Sequence, residues 1–204
     1  MSAHVKGACS EEARRCRPAV TLEAAGTVAV DEISIDWERA RKAESERFGR
    51  VFGLAVHRSL ELILSGAIDD LSRAVSLAAQ EAGLTEHLAE VEADTRRAVD
   101  ALRRGGMLDQ AGATLLTEYP LAMAWNGGKL MTGYIDLLVL KATEAMVIDF
   151  KTDAPPSGSV FASYPQYATQ LRLYGEMLRA AGIVGERQLR LGLLLTAAGE
   201  LHWL

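Results

Sequence analysis

Asp149 and Lys151 stand two residues apart in AMVIDFKT, a segment so apolar that it belongs in a sheet interior, where an unpaired carboxylate is costly to bury. A cation, a lysine or a metal must compensate it. Strand side chains alternate, so Lys151 leaves the same face as Asp149, about 7 Å further along. Asp136 interrupts a second apolar run, GYIDLLVL, one strand earlier. Counting back across the short turn at 141 to 144 makes the two runs antiparallel neighbours and sets Asp136 opposite Asp149. Two carboxylates and an ammonium then converge. Hard divalent cations such as Mg²⁺ and Mn²⁺ take carboxylate, carbonyl and water oxygens, so facing aspartates offer half a coordination shell with room for a phosphate oxygen. A lysine beside them stabilises charge on a phosphate under attack or lowers the pKa of an attacking water. The simpler reading is a buried Asp149–Lys151 ion pair with Asp136 as a surface acid near the turn.

The elements that must hold these residues follow from periodicity. Residues 1–35 lack a sustained period and read as a linker or arm, although TVAVDEISI (27–35) can form a short strand. Within 37–65, Phe52, Val56, Leu60 and Leu64 predict a helix closing on Gly66, entered through a turn near Gly49 and Gly53. Amphipathic helices follow at about 69–82, closed by Gly83, and 85–104, opened by Thr85 and ended by Gly105 and Gly106. After Gly112 the period changes. ATLLTEYPLAMAW, the turn NGG at 126–128, KLMTGYIDLLVL, a KATE turn and AMVIDFKT predict a three-strand antiparallel meander. The loop DAPPSGS (153–159), one helix through about Ala181 and the apolar segments RQLRLGLLLT and ELHWL complete the chain. The order predicts one α/β domain over 36–204: a central mixed sheet containing the meander, flanked by helices, with a helical N-terminal half.

On these elements, G-Y-I-D (133–136), I-D-F-K-T (148–152) and Y-x-x-Q-x-x-x-Y (Tyr167, Gln170, Tyr174) resemble the signature of the RecB/AddA-type branch of the PD-(D/E)XK nucleases. Gly53-Leu-Ala-Val-His57 matches that branch's G-x-x-x-H element, and Glu118 in TEYPLAM matches the Glu that opens its first meander strand. The resemblance covers about residues 49–196 and implies a restriction-endonuclease-like core. It implies that His57, Asp136, Asp149 and the backbone carbonyl of Phe150 ligate Mg²⁺ or Mn²⁺, and that Lys151 is catalytic. Gln170 and Tyr174 would border the site and position Lys151 or the DNA. Glu118 is a secondary candidate, and without the family His57 reads as an ordinary helix histidine with Glu61 one turn on as its partner. Some relatives carry an iron–sulfur cluster, which needs cysteines beyond the site. None occurs after Cys16, so no cluster is expected.

Composition narrows the context. The 204 residues carry a formal net charge of −5, which argues against a broad basic surface that grips nucleic acid unaided. None of the loosely clustered arginines, such as Arg96, Arg97, Arg103 and Arg104, is assigned to DNA. RecB/AddA-type modules usually end a longer helicase, yet no GxxxxGK[ST] pattern is present. The resemblance therefore implies a deoxyribonuclease acting on single strands or ends, with a helicase motor in cis or trans, in double-strand-break repair. A nuclease-fold module without turnover, for DNA-end binding or protein docking, is the alternative, and a stand-alone restriction-like endonuclease a third. Cys9 and Cys16 fit neither a CxxC motif nor a complete zinc site. With no signal-like or membrane-spanning stretch, a cytoplasmic protein without membrane contact is expected, nucleoid-associated if bacterial.

Overall fold

The computed structural model describes residues 32–34, 48–108, 112–125 and 129–204. Cys9, Cys16, the NGG turn and the stretch from Trp37 to Glu46 lie outside them, as does most of the 27–35 segment. What is described of that segment is β1 (Glu32–Ser34). Three helices follow, α1 (Gly49–Leu64), α2 (Leu71–Ala82) and α3 (Leu88–Arg104), then the strands β2 (Thr114–Trp125), β3 (Lys129–Leu140) and β4 (Glu144–Lys151). The chain ends with α4 (Val160–Ser163), α5 (Pro165–Ala180), β5 (Gln188–Leu195) and β6 (Glu200–Trp203).

Helix boundaries depart from the periodic pattern where local chemistry intervenes. Asp70 caps α2 by accepting the backbone N–H of Arg73 at 2.7 Å, and Gly83 closes the helix in the left-handed region at φ 69°. α3 begins after His87 rather than Thr85. His87 itself sits at φ 63°, with its ring stacked on Phe48 at 4.2 Å, so a tertiary contact sets this start. The single helix expected after the loop is two, because Pro165 disfavours helical backbone at Tyr164 and then opens α5 at its first position.

The six strands form one mixed sheet in the order β1-β3-β4-β5-β6, with β2 on the other edge of β3. The meander is antiparallel throughout, β5–β6 is antiparallel, and β1–β3 and β4–β5 are parallel. The α1–α3 layer covers one face through Phe52, Leu60 and Leu102 on Leu137, Ile148 and Phe150. α5 covers the other through Leu171 and Leu178, against Ile135, Leu138 and Leu193. This is the α/β architecture read from the sequence.

Two irregularities prepare the site. β4 pairs with β3 from Leu140↔Ala145 to Leu137↔Ile148 and no further, while β1 pairs with the same edge at Leu130 to Thr132. The strands part where Asp136 would face Asp149. The second irregularity is a change of face. On β2, Leu116 packs toward α5, but so do Tyr119, Leu121 and Met123, so strict alternation fails between them. The slip falls at Glu118, a non-glycine residue at φ 47° that is missing from an otherwise unbroken β2–β3 register. β3 slips at the facing position: Leu138 packs toward α5, and so do Ile135 and Met131. Beyond the slip, the even-numbered residues of both strands face away from α5, on the α1 side.

A buried polar latch holds the end of β5. Asp94 of α3 is fully buried; one oxygen is ion-paired with Arg97 and the other accepts the Thr196 hydroxyl at 3.1 Å. The Thr196 backbone N–H donates to the Lys151 carbonyl at 2.9 Å, so α3 is tied to the tail of β4. Replacing Asp94 with Ala leaves the buried Thr196 hydroxyl only the Lys151 carbonyl at 3.3 Å, and leaves the Arg97 guanidinium, 39% exposed, only the Thr196 carbonyl at 3.3 Å. Because the arginine can rehydrate, the expected loss in urea unfolding is about 2–3 kcal/mol, below the range for a fully buried pair. A loss under about 0.5 kcal/mol would show that the latch contributes nothing.

Candidate metal centre

His57 projects from the middle of α1, where Ala55, Val56, Ser59 and Leu60 are buried and anchor the helix on the sheet. Its Nδ1 lies 3.3 Å from Asp136 Oδ1. The other Asp136 oxygen, Oδ2, accepts the backbone N–H of Phe150 at 2.6 Å. A side chain thus takes the place of the strand carbonyl that would satisfy this N–H if the ladder continued. Glu118, swung by its left-handed backbone, completes a group in which one donor atom each from His57, Glu118 and Asp136 lies within 4.8 Å of the others.

Asp149 and Lys151 take the opposite side of the fork. Both are buried, at 2% and 5% exposure, and Asp149 Oδ2 is in close ion pairing with Lys151 Nζ. The ammonium also lies 4.9 Å from the centre of the Tyr167 ring, whose hydroxyl donates to Asp153 Oδ2 at 2.8 Å. Gln170 Nε2 donates to the Tyr174 hydroxyl at 2.9 Å. Tyr174 in turn packs under β3: a Cβ on Gly133 would stand 3.1 Å from its Cε1. The glycine of G-Y-I-D and the last tyrosine of Y-x-x-Q-x-x-x-Y are therefore two halves of one contact.

Charge crowding shows in the acidities. Burial pushes Glu118 upward, the neighbouring Asp136 charge adds to this, and the carboxyl reaches about 7 despite His57. Asp149 is raised too, by burial first and by Asp136, with Lys151 opposing. Burial acts against ionised Asp136 as well, but His57, Lys151 and the Phe150 N–H together outweigh it and hold this carboxyl below its ordinary value. An imidazole nitrogen and two carboxylates within reach of one ion, one of them strained by its neighbour's charge, fit a divalent cation.

The structure thus gathers His57, Asp136 and Glu118, the last of which the sequence ranked lowest. It places Asp149 outside that group, against Lys151. Phe150 reaches Asp136 through its N–H. His57 pairs with Asp136 at 3.3 Å, and Glu61 pairs with Arg58 at 2.7 Å. Tyr167 supplies the ring beside Lys151. Asp94 was missed, yet it had a signal: Val91, Ala98 and Leu102 mark a buried helical stripe, and Asp94 falls on it.

The sequence profile of the PD-(D/E)XK nuclease superfamily matches residues 36–200. The chain belongs to this superfamily. Asp149-Phe150-Lys151 stands where the superfamily's name puts (D/E)XK, and the divalent metal ions these nucleases use suit the His57–Glu118–Asp136 group. A solved structure titled "Crystal structure of SSO0001" is similar at 15% identity, over 83% of this chain and 72% of that one, with a TM-score of 0.35. No curated protein matches the sequence. Among the described residues, no helix is long and apolar enough to cross a membrane.

A folded-state value near 7 for Glu118, against 4.5 ordinarily, means the native state binds this proton more tightly than the unfolded chain does. The associated stability is complete below pH 4.5 and is lost as pH rises through 7. In EDTA at pH 8, Glu118→Gln is therefore expected to be more stable than wild type, by about 1–2 kcal/mol after allowance for solvent screening. The difference should shrink at pH 5. Saturating Mn²⁺ should reverse the order by stabilising wild type more. Thermal unfolding measures all three, and a variant no more stable than wild type at pH 8 in EDTA would refute the crowding.

Proposed function

We propose that this chain is a Mg²⁺- or Mn²⁺-dependent deoxyribonuclease that hydrolyses phosphodiester bonds, with residues 36–204 as its nuclease domain. The observation that carries this reading is the fork itself: a His57–Glu118–Asp136 group on one side and a buried Asp149–Lys151 pair on the other. His57, Asp136 and Glu118 would hold the cation, with Asp149 and the Phe150 carbonyl, expected as ligands from the resemblance, lying beside them. When bound, the ion would polarise the scissile phosphate and acidify a water.

The chain's own residues do the rest. Asp136 is kept ionised by its neighbours and fixed by the Phe150 N–H, so it is ready to ligate without rearrangement. Lys151 is aimed by Asp149 and the Tyr167 ring, and its ammonium offsets the charge that grows on the phosphate oxygens during in-line attack. Water adds to phosphorus, the bond to the leaving sugar oxygen breaks, and that oxygen takes up a proton. Gln170 and Tyr174 act one step back, by setting the strand that carries Asp136.

The resemblance to RecB/AddA-type modules supports a place beside a helicase motor, in cis or trans, in double-strand-break repair in the cytoplasm. The charge of −5 agrees, since a motor can deliver single strands or ends to a nuclease that grips DNA weakly. The test is cleavage of labelled linear and circular single-stranded DNA with Mg²⁺, Mn²⁺ or EDTA. Wild type should cut only with metal, and Lys151→Ala and Asp149→Ala should each lower the rate at least about a hundredfold. Cleavage that survives either substitution would remove that residue from the mechanism. No metal-dependent cleavage would favour a silent docking module.

A further inference from the structure

Tyr134 is 61% exposed, more than any other large apolar side chain among the described residues. It is paired with β2 on one edge of β3, and on the other edge it falls in the gap between β1 and β4. The change of face at Glu118 and Asp136 explains where it points. Gly133 packs against Tyr174 on the α5 side, so Tyr134 leaves the opposite face, the side from which His57 reaches Asp136. Thr132 and Tyr134 on β3 pair with Ala122 and Pro120 on β2, and this strip leads along both strands to Asp136 and Glu118, where the register is interrupted. Pro120, also exposed, lies directly across from Tyr134. A shallow cavity of about 260 Å³ opens along Pro120, Leu121, Ala122, Thr132, Gly133 and Tyr134.

We propose that Tyr134, with Pro120 beside it, is a stacking platform for an unpaired nucleobase adjoining the scissile phosphate. The proposal rests on the nuclease reading and deepens it by naming the residues that hold a base of the single strand. Tyr134 and Asp136 stand two positions apart on one face of the strand, about 7 Å along the backbone, so a phosphate at the cluster brings its neighbouring base over the tyrosine. A base in a duplex is already stacked on its own neighbours and cannot lie on this ring. Stacking also suits the charge of this chain: it needs no basic surface and holds any base, because every base has a π-face. The platform is stiff, since Tyr174 and Gln170 pin the strand from beneath.

The experiment compares wild type with Tyr134→Ala, Tyr134→Phe and Tyr134→Trp, all at an exposed position and each checked for an unchanged unfolding temperature. Binding is measured by anisotropy with labelled single-stranded DNA in EDTA, and steady-state cleavage with Mn²⁺. Tyr134→Ala is expected to weaken binding and raise KM roughly tenfold to a hundredfold, while Phe and Trp retain near wild-type values. An abasic residue scanned past the cleavage position should weaken wild type at one position and leave Tyr134→Ala indifferent there. Wild-type cleavage with Tyr134→Ala unchanged in binding and KM would overturn the platform and leave the nuclease intact. Wild type that neither binds nor cleaves would overturn both.

Discussion

One backbone N–H organises this molecule. Phe150 donates to the side chain of Asp136 because the β3–β4 ladder stops at Leu137↔Ile148, two residue pairs before it would have satisfied that donor in the usual way. A buried N–H without a partner is costly, and a carboxylate is a stronger acceptor than the carbonyl it replaces. The same bond adds to His57 and Lys151 in keeping Asp136 ionised inside the protein, and it fixes the free oxygen toward His57. Opening the sheet therefore creates the space for the site and supplies the anchor for its central ligand.

The surrounding elements keep that fork from closing. On the α1 side, His57 and the left-handed Glu118 face the exposed oxygen of Asp136. On the α5 side, Tyr167 lies beside Lys151 and Tyr174 presses on Gly133, so β3 and β4 are each held by a ring. From behind, Asp94 and Thr196 secure the carbonyl of Lys151. Three carboxylates and one ammonium in so small a volume are tolerable only with such support, and burial first, then the Asp136 charge, push Glu118 up to about 7. A divalent cation relieves that crowding, which links the stability of the fold to its chemistry.

Much of this was legible in the residues. The apolar runs around Asp136 and Asp149 fixed the meander, and counting across the turn gave a β3–β4 register that holds from Leu140 to Leu137. It failed one pair later, because counting assumes that a ladder continues. At the same level the β2–β3 register is interrupted by a left-handed Glu118, and no sequence period encodes a positive φ at a glutamate. The ranking of Glu118 as the weakest candidate had the same origin: as a regular strand residue before Tyr119 and Pro120 it would be solvated. Likewise Tyr167 and Gln170, three apart on one helix face, could not be ranked by spacing, and only the packing of α5 shows that the tyrosine meets Lys151. Helix α3 began late because the His87–Phe48 stack is a contact between distant residues.

The most direct measurement is an anomalous difference map from crystals soaked in Mn²⁺. The account requires one peak within bonding distance of His57 Nδ1, an Asp136 oxygen and a Glu118 oxygen, absent from crystals of Glu118→Gln soaked alike. A peak coordinated by Asp149 without His57 and Glu118, or equal occupancy in the variant, would contradict it.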